Sequence, residues 1–150
     1  MLSTFFHNIT STIIERSLNK AYAERLEERG STPQGVFWNS RQNQMVRFAA
    51  LLSRVTGHVA WTKPKPRTLS IADIGCGYGA MLEFIRARPQ FTHLRYMGLD
   101  INTAMIAACQ DNFPTAAHLF KIGKEPVSPV DFSVFSGTFN LCHIDDTKRW

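Results

Sequence analysis

Residues 71–85 read IADIGCGYGAMLEFI, and they carry the clearest indication of the fold. It joins an apolar run typical of a buried strand to a helical pattern through three glycines within five residues. Glycines lower folding stability because they lose much backbone entropy, so three together indicate a loop with another purpose. Without Cβ atoms such a loop can lie against a ligand and point N–H groups at it, beside the positive end of the helix. The stretch predicts a ligand-binding strand–loop–helix unit.

Short apolar runs and helical patterns continue to alternate after this unit. Strands are predicted at 69–74, 95–100, 117–122 and 131–136, and helices from about Ala80 to Arg88 and from Thr103 to Asn112. This alternation is typical of βαβ units. It predicts the α/β class, with a doubly wound, mostly parallel sheet.

A different pattern precedes the unit. Apolar residues at helical spacing predict one helix from Thr12 to Arg29 and a second from the Asn39–Ser40 cap to about Gly57. Two prolines in residues 62–67, TKPKPR, exclude a helix there. We therefore expect an N-terminal helical segment over residues 1–62 and an α/β core over residues 63–150.

Composition excludes several classes. The chain has 150 residues, of which 44% are hydrophobic and 19% charged, values that fit a folded domain. No apolar run approaches the roughly 20 residues of a membrane span, and no secretory signal is evident, so we expect a cytoplasmic protein without a membrane role. The three cysteines lack a CxxC pair, and the five histidines lack a ligand motif, so no metal site is predicted.

The net charge of +5 lies in the first part of the chain, where residues 1–67 hold ten Lys and Arg against four Asp and Glu. Such charge can attract an anionic acceptor or a nucleic acid. It can also form a solvated helix face, which the alternation of sign at Glu15–Arg16 and over residues 25–29 favours. No RNA-recognition signature supports a nucleic-acid partner.

Asp100 follows Gly75 by 25 residues and ends the second predicted strand. The carboxyl ends of neighbouring parallel strands form the ligand crevice, so Asp100 is expected to face the same pocket as the glycines. There its carboxylate can accept both hydroxyls of a ribose. Alone, such an aspartate is more typical of a turn or helix cap, a role that Asn102–Thr103 can fill instead, but together with the glycine loop it favours the ribose role.

Two cofactors fit this arrangement. The spacing Gly75-x-Gly77-x-x-Ala80 satisfies the relaxed fingerprint for NAD. Asp73 and Gly79 complete the series DxGxGxG, which favours S-adenosylmethionine (SAM). An acidic side chain at the strand end suits the ammonium and sulfonium of SAM and repels a pyrophosphate.

Three segments resemble class I SAM-dependent methyltransferases: residues 71–85, YMGLDINTAMIAAC at 96–109 and VDFSVFSGTFN at 130–140. SGTFN, together with GVFWNSRQNQMVRFAAL at 35–51, is similar to a bacterial subgroup of undefined substrate. The resemblance covers about residues 33–142. It implies a Rossmann-like fold of seven strands, of which four can be drawn here, so the chain is a fragment or the remaining strands come from elsewhere.

The resemblance also implies site residues. Asp73, Gly75 and Gly77 would surround the methionine part of SAM, Gly79 would permit the loop to turn, and Asp100 would hold the ribose. The predicted cofactor site comprises Asp73, Gly75, Cys76, Gly77, Tyr78, Gly79, Asp100, Ile101 against the adenine, and Ser136 and Gly137 beside the methyl group. Phe139 is expected on the acceptor side, and Trp38, Arg47 and Phe48 in a lid, although a plain turn and a plain helix core explain them too.

The sequence thus predicts a methyltransferase that moves the methyl group of SAM by in-line displacement to an acceptor, by default a small molecule. No catalytic base is named, because SAM is already activated. His143, Asp145 and Asp146 are interpreted as surface residues beyond the fourth strand. Two alternatives stay open: a SAM-binding but inactive interaction module, and an NAD-dependent oxidoreductase. The oligomeric state is left open.

Overall fold

The computed structural model describes residues 2–62 and 68–137, with side chains for 15–57 and 68–137. The described elements, in chain order, are α1 (Leu2–Arg29), α2 (Arg41–Thr62), β1 (Leu69–Ile74), α3 (Ala80–Arg86), β2 (Leu94–Asp100), α4 (Thr103–Asn112), β3 (Phe120–Ile122) and β4 (Phe132–Phe135). Short 3-10 helices span Gln34–Val36, Pro89–Phe91 and Pro114–Leu119. The α/β class is confirmed.

The four described strands form one parallel sheet in the order β3-β2-β1-β4. β1 is central, and its Asp73 lies opposite Gly98 of β2 and Val134 of β4. Because all strands run the same way, the carboxyl ends of β1, β2 and β4 meet at one edge. The sheet therefore brings the glycine loop, Asp100 and the end of β4 together.

The main hydrophobic core joins one face of the sheet to the helices. Leu52 of α2, Ile71 of β1 and Met81 of α3 are almost wholly buried in it, together with Cys109 of α4. Burying side chains of this size contributes about 1.5–3 kcal/mol each. A smaller cluster of Ala72, Ile74 and Leu99, with Met97 and Val130 packed against it, lies apart from this core.

The predicted bounds of helices and strands agree best with the structure where they rest on local sequence signals. β1 and α4 have the predicted bounds, and β2 and β4 agree within one residue at each end. α1 begins earlier than predicted, and α3 ends at Arg86, before Pro89.

Two more bounds differ from the prediction. α2 continues past Gly57 to Thr62, because one glycine inside a helix costs only about 1 kcal/mol and α2 buries Phe48, Leu52 and Val55. β3 is only three residues long, because a 3-10 helix that begins at Pro114 occupies residues predicted as strand. The predicted boundary at 63–67 lies outside the described residues.

Candidate functional site

A cavity of about 370 Å³ opens at the carboxyl ends of β1, β2 and β4. The ends of the three strands and the glycine loop form its floor, while α1, α2 and the segment between them form a wall. Most of its lining is apolar, with a few polar groups that converge on it. This combination is typical of sites for small molecules and cofactors.

The glycine loop owes its shape to backbone conformations that other residues rarely adopt. Gly75, Gly77 and Gly79 all have positive φ angles, of 77°, 55° and 87°. Gly79 caps α3, and a Cβ atom there would lie 2.8 Å from Phe113 Cε2 and 3.1 Å from Phe120 Cζ. Gly79 therefore packs against aromatic rings and does not line the cavity.

Asp100 ties the loop to the end of β2. Its Oδ2 accepts a hydrogen bond from Gly77 N at 3.0 Å, and its Oδ1 accepts one from Asn102 N at 2.9 Å. Burial raises the pKa of Asp100, and the bonds to backbone N–H groups oppose this shift. Burial, with a smaller contribution from Asp100, raises the pKa of Tyr22 to about 12. The Tyr22 hydroxyl is thus a neutral donor close to this carboxylate.

Asp73 is the most deeply buried acid of the site, with 2% of its surface exposed. Its Oδ2 accepts a hydrogen bond from the Tyr96 hydroxyl at 2.9 Å. Burial raises the pKa of Asp73 to about 7; the Tyr96 bond lowers it and the charge of Asp100 raises it. Asp73 therefore changes charge near neutral pH, in contrast to an exposed aspartate.

Two polar contacts hold helix α1 against the site. Asn102 caps α4 through its Oδ1, and its Nδ2 donates to Asn19 O of α1 at 2.8 Å. Lys124 Nζ lies 2.5 Å from Glu15 Oε1. Asn19, Glu15 and Tyr22 all line the cavity, so α1 forms part of the site and is more than a preceding element.

Helix α2 reaches the glycine loop through a buried hydrogen bond, in which the Tyr78 hydroxyl donates to Gln44 Oε1 at 2.9 Å. Trp38 and Phe48, two of the predicted lid residues, also line the cavity. Arg47 does not, because its guanidinium lies over the Trp38 ring, 5.8 Å from the centroid.

Ser136 and Gly137 follow β4 directly and line the cavity. The Ser136 Oγ atom is buried and has no hydrogen-bond partner among the described residues. A buried hydroxyl in this position commonly bonds to a ligand or a water molecule. Ser136 is therefore a candidate ligand contact.

The structure brings nine of the ten predicted site residues to one cavity, and Gly79 is the exception. Phe139, His143, Asp145 and Asp146 lie outside the described residues. Glu15, Asn19 and Tyr22 of α1 also line the cavity and were not predicted, because they form one face of a helix and carry no motif. Gln44, Asn102 and Lys124 in the lining, and Tyr96 behind Asp73, were not predicted as site residues either. One sequence signal existed for Tyr96: the alternation of strands and helices puts it on a strand that neighbours β1.

Comparison with known sequences agrees with this geometry. The sequence model of a family described as "Methyltransferase domain" matches residues 72–149, which include the glycine loop, Asp100 and Ser136. The chain belongs to this family of methyltransferase domains. The resemblance noted from the sequence is thereby confirmed.

The chain is also similar to a curated protein of Mycobacterium tuberculosis (strain ATCC 25618 / H37Rv), named "Putative methyltransferase Rv1506c". The two are 38% identical over 73 residues, which is 48% of this chain and 43% of the relative. The match thus spans less than half the length of that relative. Among the described residues of the chain, no helix is long and apolar enough to cross a membrane.

Proposed function

We propose that the methyltransferase domain binds SAM in the cavity and transfers its methyl group to an acceptor by in-line displacement. The observation that carries this proposal is the convergence of Asp73, the glycine loop and Asp100 on one cavity. When bound, SAM supplies a methyl group already activated by its sulfonium.

The residues present fit this cofactor. Asp100 accepts backbone N–H bonds from Gly77 at Oδ2 and from Asn102 at Oδ1, and its carboxylate keeps lone pairs for ribose hydroxyls. Gly75 and Gly77 let the backbone come close to the methionine part, and Asp73 offers a carboxylate to its ammonium group. The Ser136 Oγ atom, which has no hydrogen-bond partner among the described residues, adds a polar contact just after β4. A volume of about 370 Å³ suits a ligand of this size.

The charge of the cavity favours SAM over NAD. Among the described residues, its lining holds the carboxylates of Glu15, Asp73 and Asp100 but the cation of Lys124 alone. Lys124 is already paired with Glu15. SAM brings a sulfonium and an ammonium group to these acids, whereas the pyrophosphate of NAD would meet repulsion. No observation on the described residues favours the oxidoreductase alternative.

The chain's own contribution is to position the reactants and exclude water. Alignment of an acceptor with the methyl group can supply about 7–11 kcal/mol of barrier reduction without a general base. Trp38, Phe48 and Phe135 give the cavity apolar walls, which suit this task. We propose a small molecule as the acceptor, because the cavity is enclosed by α1 and α2 and the chain has no nucleic-acid-binding motif.

The proposal includes a cytoplasmic location. Cys76 and Cys109 are free and buried thiols, and free thiols are typical of reducing compartments.

Calorimetric titration with S-adenosylhomocysteine (SAH) tests the cofactor site. Asp100→Ala removes two charge-assisted bonds to the ribose, so we expect affinity to fall by more than about tenfold. Asp111→Ala is the matched control, because Asp111 is exposed on α4 and outside the cavity lining, and it should bind SAH like the wild type.

Titration with NAD and a methyl-transfer assay with labelled SAM complete the test. Binding of NAD in place of SAH would refute the proposal. Binding of SAM without transfer to any acceptor of a small-molecule panel would support an inactive interaction module instead. Transfer that stops in Asp100→Ala and persists in Asp111→Ala would establish the activity.

A further inference from the structure

Asp73 is placed so that its immediate neighbours determine whether its carboxyl group is charged. Its carboxylate is almost completely buried yet lines the cavity, and its pKa, raised mainly by burial, is about 7. The titratable groups that act on it are Tyr96 and Asp100 of β2, and the Cys76 and Cys109 thiols lie close by. None of these neighbours brings a positive charge. A hydrogen-bond donor is therefore the means by which the described residues favour the carboxylate.

Tyr96 is that donor. Its hydroxyl lies 2.9 Å from Asp73 Oδ2, and burial, followed by the charge of Asp73, raises the pKa of Tyr96 well above its ordinary value. Tyr96 therefore keeps its proton and donates it towards Asp73. Its ring is held in an edge-on contact with Phe120, with centroids 6.0 Å apart. The hydroxyl thus has a fixed direction and holds one oxygen of the carboxylate in place.

Gly98 makes this contact possible. In the β1–β2 register, Asp73 lies opposite Gly98, so the Tyr96 side chain passes over position 98 to reach the carboxylate. A Cβ atom at Gly98 would lie 2.9 Å from the Tyr96 hydroxyl oxygen and 2.7 Å from Phe120 Cδ1. Both distances are shorter than real Cβ contacts. Any larger residue at 98 would have to displace Tyr96 or Phe120.

We propose that Tyr96 is a positioning residue for the cofactor: from the space that Gly98 leaves, its hydroxyl holds Asp73 as a carboxylate directed at the cationic methionine end of SAM. The inference rests on the proposed function and assigns a role to two residues behind the cavity. It also explains how an acid can be wholly buried beside another acid and still serve a positively charged ligand.

The test measures SAH affinity by calorimetry between pH 5.5 and 7.5, below the pKa of about 7.7–8.0 expected for the ligand's α-amino group. Wild-type affinity should rise with pH as Asp73 ionises. In Tyr96→Phe the rise should move to higher pH, with affinity about tenfold lower at pH 7, because a hydrogen bond to a charged group is lost. Gly98→Ala should behave like Tyr96→Phe, since it leaves the hydroxyl in the chain but pushes it away.

A double-mutant cycle separates this role from general damage to the site. Asp73→Asn should lose the part of the pH dependence that Asp73 causes, while the part due to Asp100 stays, and adding Tyr96→Phe to it should change the affinity less than twofold. An equal tenfold loss in both backgrounds would mean that Tyr96 supports only the fold, which overturns the inference. Unchanged affinity and pH profile in Tyr96→Phe would also overturn it.

Unfolding curves of the ligand-free proteins show whether each variant is folded, so that failure of this inference can be distinguished from failure of the proposed function. Wild-type protein that binds SAH while Tyr96→Phe matches it refutes the inference alone. Wild-type protein that is folded yet binds no SAH at any pH refutes the proposed function, and the cofactor role of Tyr96 with it. If Gly98→Ala does not fold, circular dichroism will show this, and the near-isosteric Tyr96→Phe decides the question.

Discussion

Replacement of Asp73 by Asn should change how the stability of the ligand-free protein depends on pH. The pKa of Asp73 is raised from 3.8 to about 7 in the folded protein, mainly by burial. The folded state therefore binds the proton more tightly than the unfolded state. Stability is greatest below the unfolded pKa and falls as pH rises from about 4 to about 7.

The size of the effect follows from the shift. A shift of about three pKa units at about 1.36 kcal/mol per unit corresponds to about 4 kcal/mol, an upper figure for so buried a group. An asparagine at position 73 keeps the shape and an oxygen acceptor for the Tyr96 hydroxyl but has no charge to bury. The variant should lack this part of the pH dependence.

Urea unfolding at pH 4.5 and pH 7.5 provides the assay. Between these values, wild-type protein should lose about 3 kcal/mol more stability than Asp73→Asn, because only the part of the shift above pH 4.5 is sampled. Asp100 acts in the same direction in both proteins and cancels in the comparison. Asp111→Asn, which alters an exposed carboxyl, should parallel the wild type. Parallel pH dependences for wild type and Asp73→Asn would show that Asp73 ionises at an ordinary pKa, and the burial argument would fail.

Three further substitutions test, by urea unfolding, how much individual contacts around the site contribute to stability. Gly79→Ala should cost about 3 kcal/mol, because the residue has φ 87° and its Cβ would meet Phe113; a cost below about 1 kcal/mol would contradict this reading. Asn102→Ala should cost about 2 kcal/mol through the lost α4 cap and the lost bond to α1, whereas a loss of a few tenths would mean that neither bond matters. Glu15→Gln should change stability by less than about 1 kcal/mol, since its pair with Lys124 is partly exposed, and a larger loss would show a stronger coupling of α1.

Local patterns in the sequence were sufficient for the central architecture. β1, the glycine loop and α4 could be predicted because apolar periodicity, glycines and prolines determine the conformation of the backbone close to them. The meeting of Asp73 and Asp100 followed from a parallel sheet, in which the carboxyl ends of neighbouring strands share one edge. These inferences needed no knowledge of side-chain packing.

Long-range packing decided what the patterns left open. That α1 lines the cavity depends on Asn19 meeting Asn102, 83 residues apart, and no local signal encodes that contact. The pKa of Asp73 depends on how completely the fold excludes water from it.

Gly98 is the clearest example of a residue whose role depends on long-range packing. In the sequence it is one glycine inside an apolar strand, a feature that only hints at close approach of another group. The register that sets it opposite Asp73, and the passage of Tyr96 over it, arise only when β1 and β2 pair. Local sequence signals were therefore enough for the elements and for the edge at which the site forms. Which side chains hold the acids there depends on the folded chain, because it is set by distances between residues that lie far apart in the sequence.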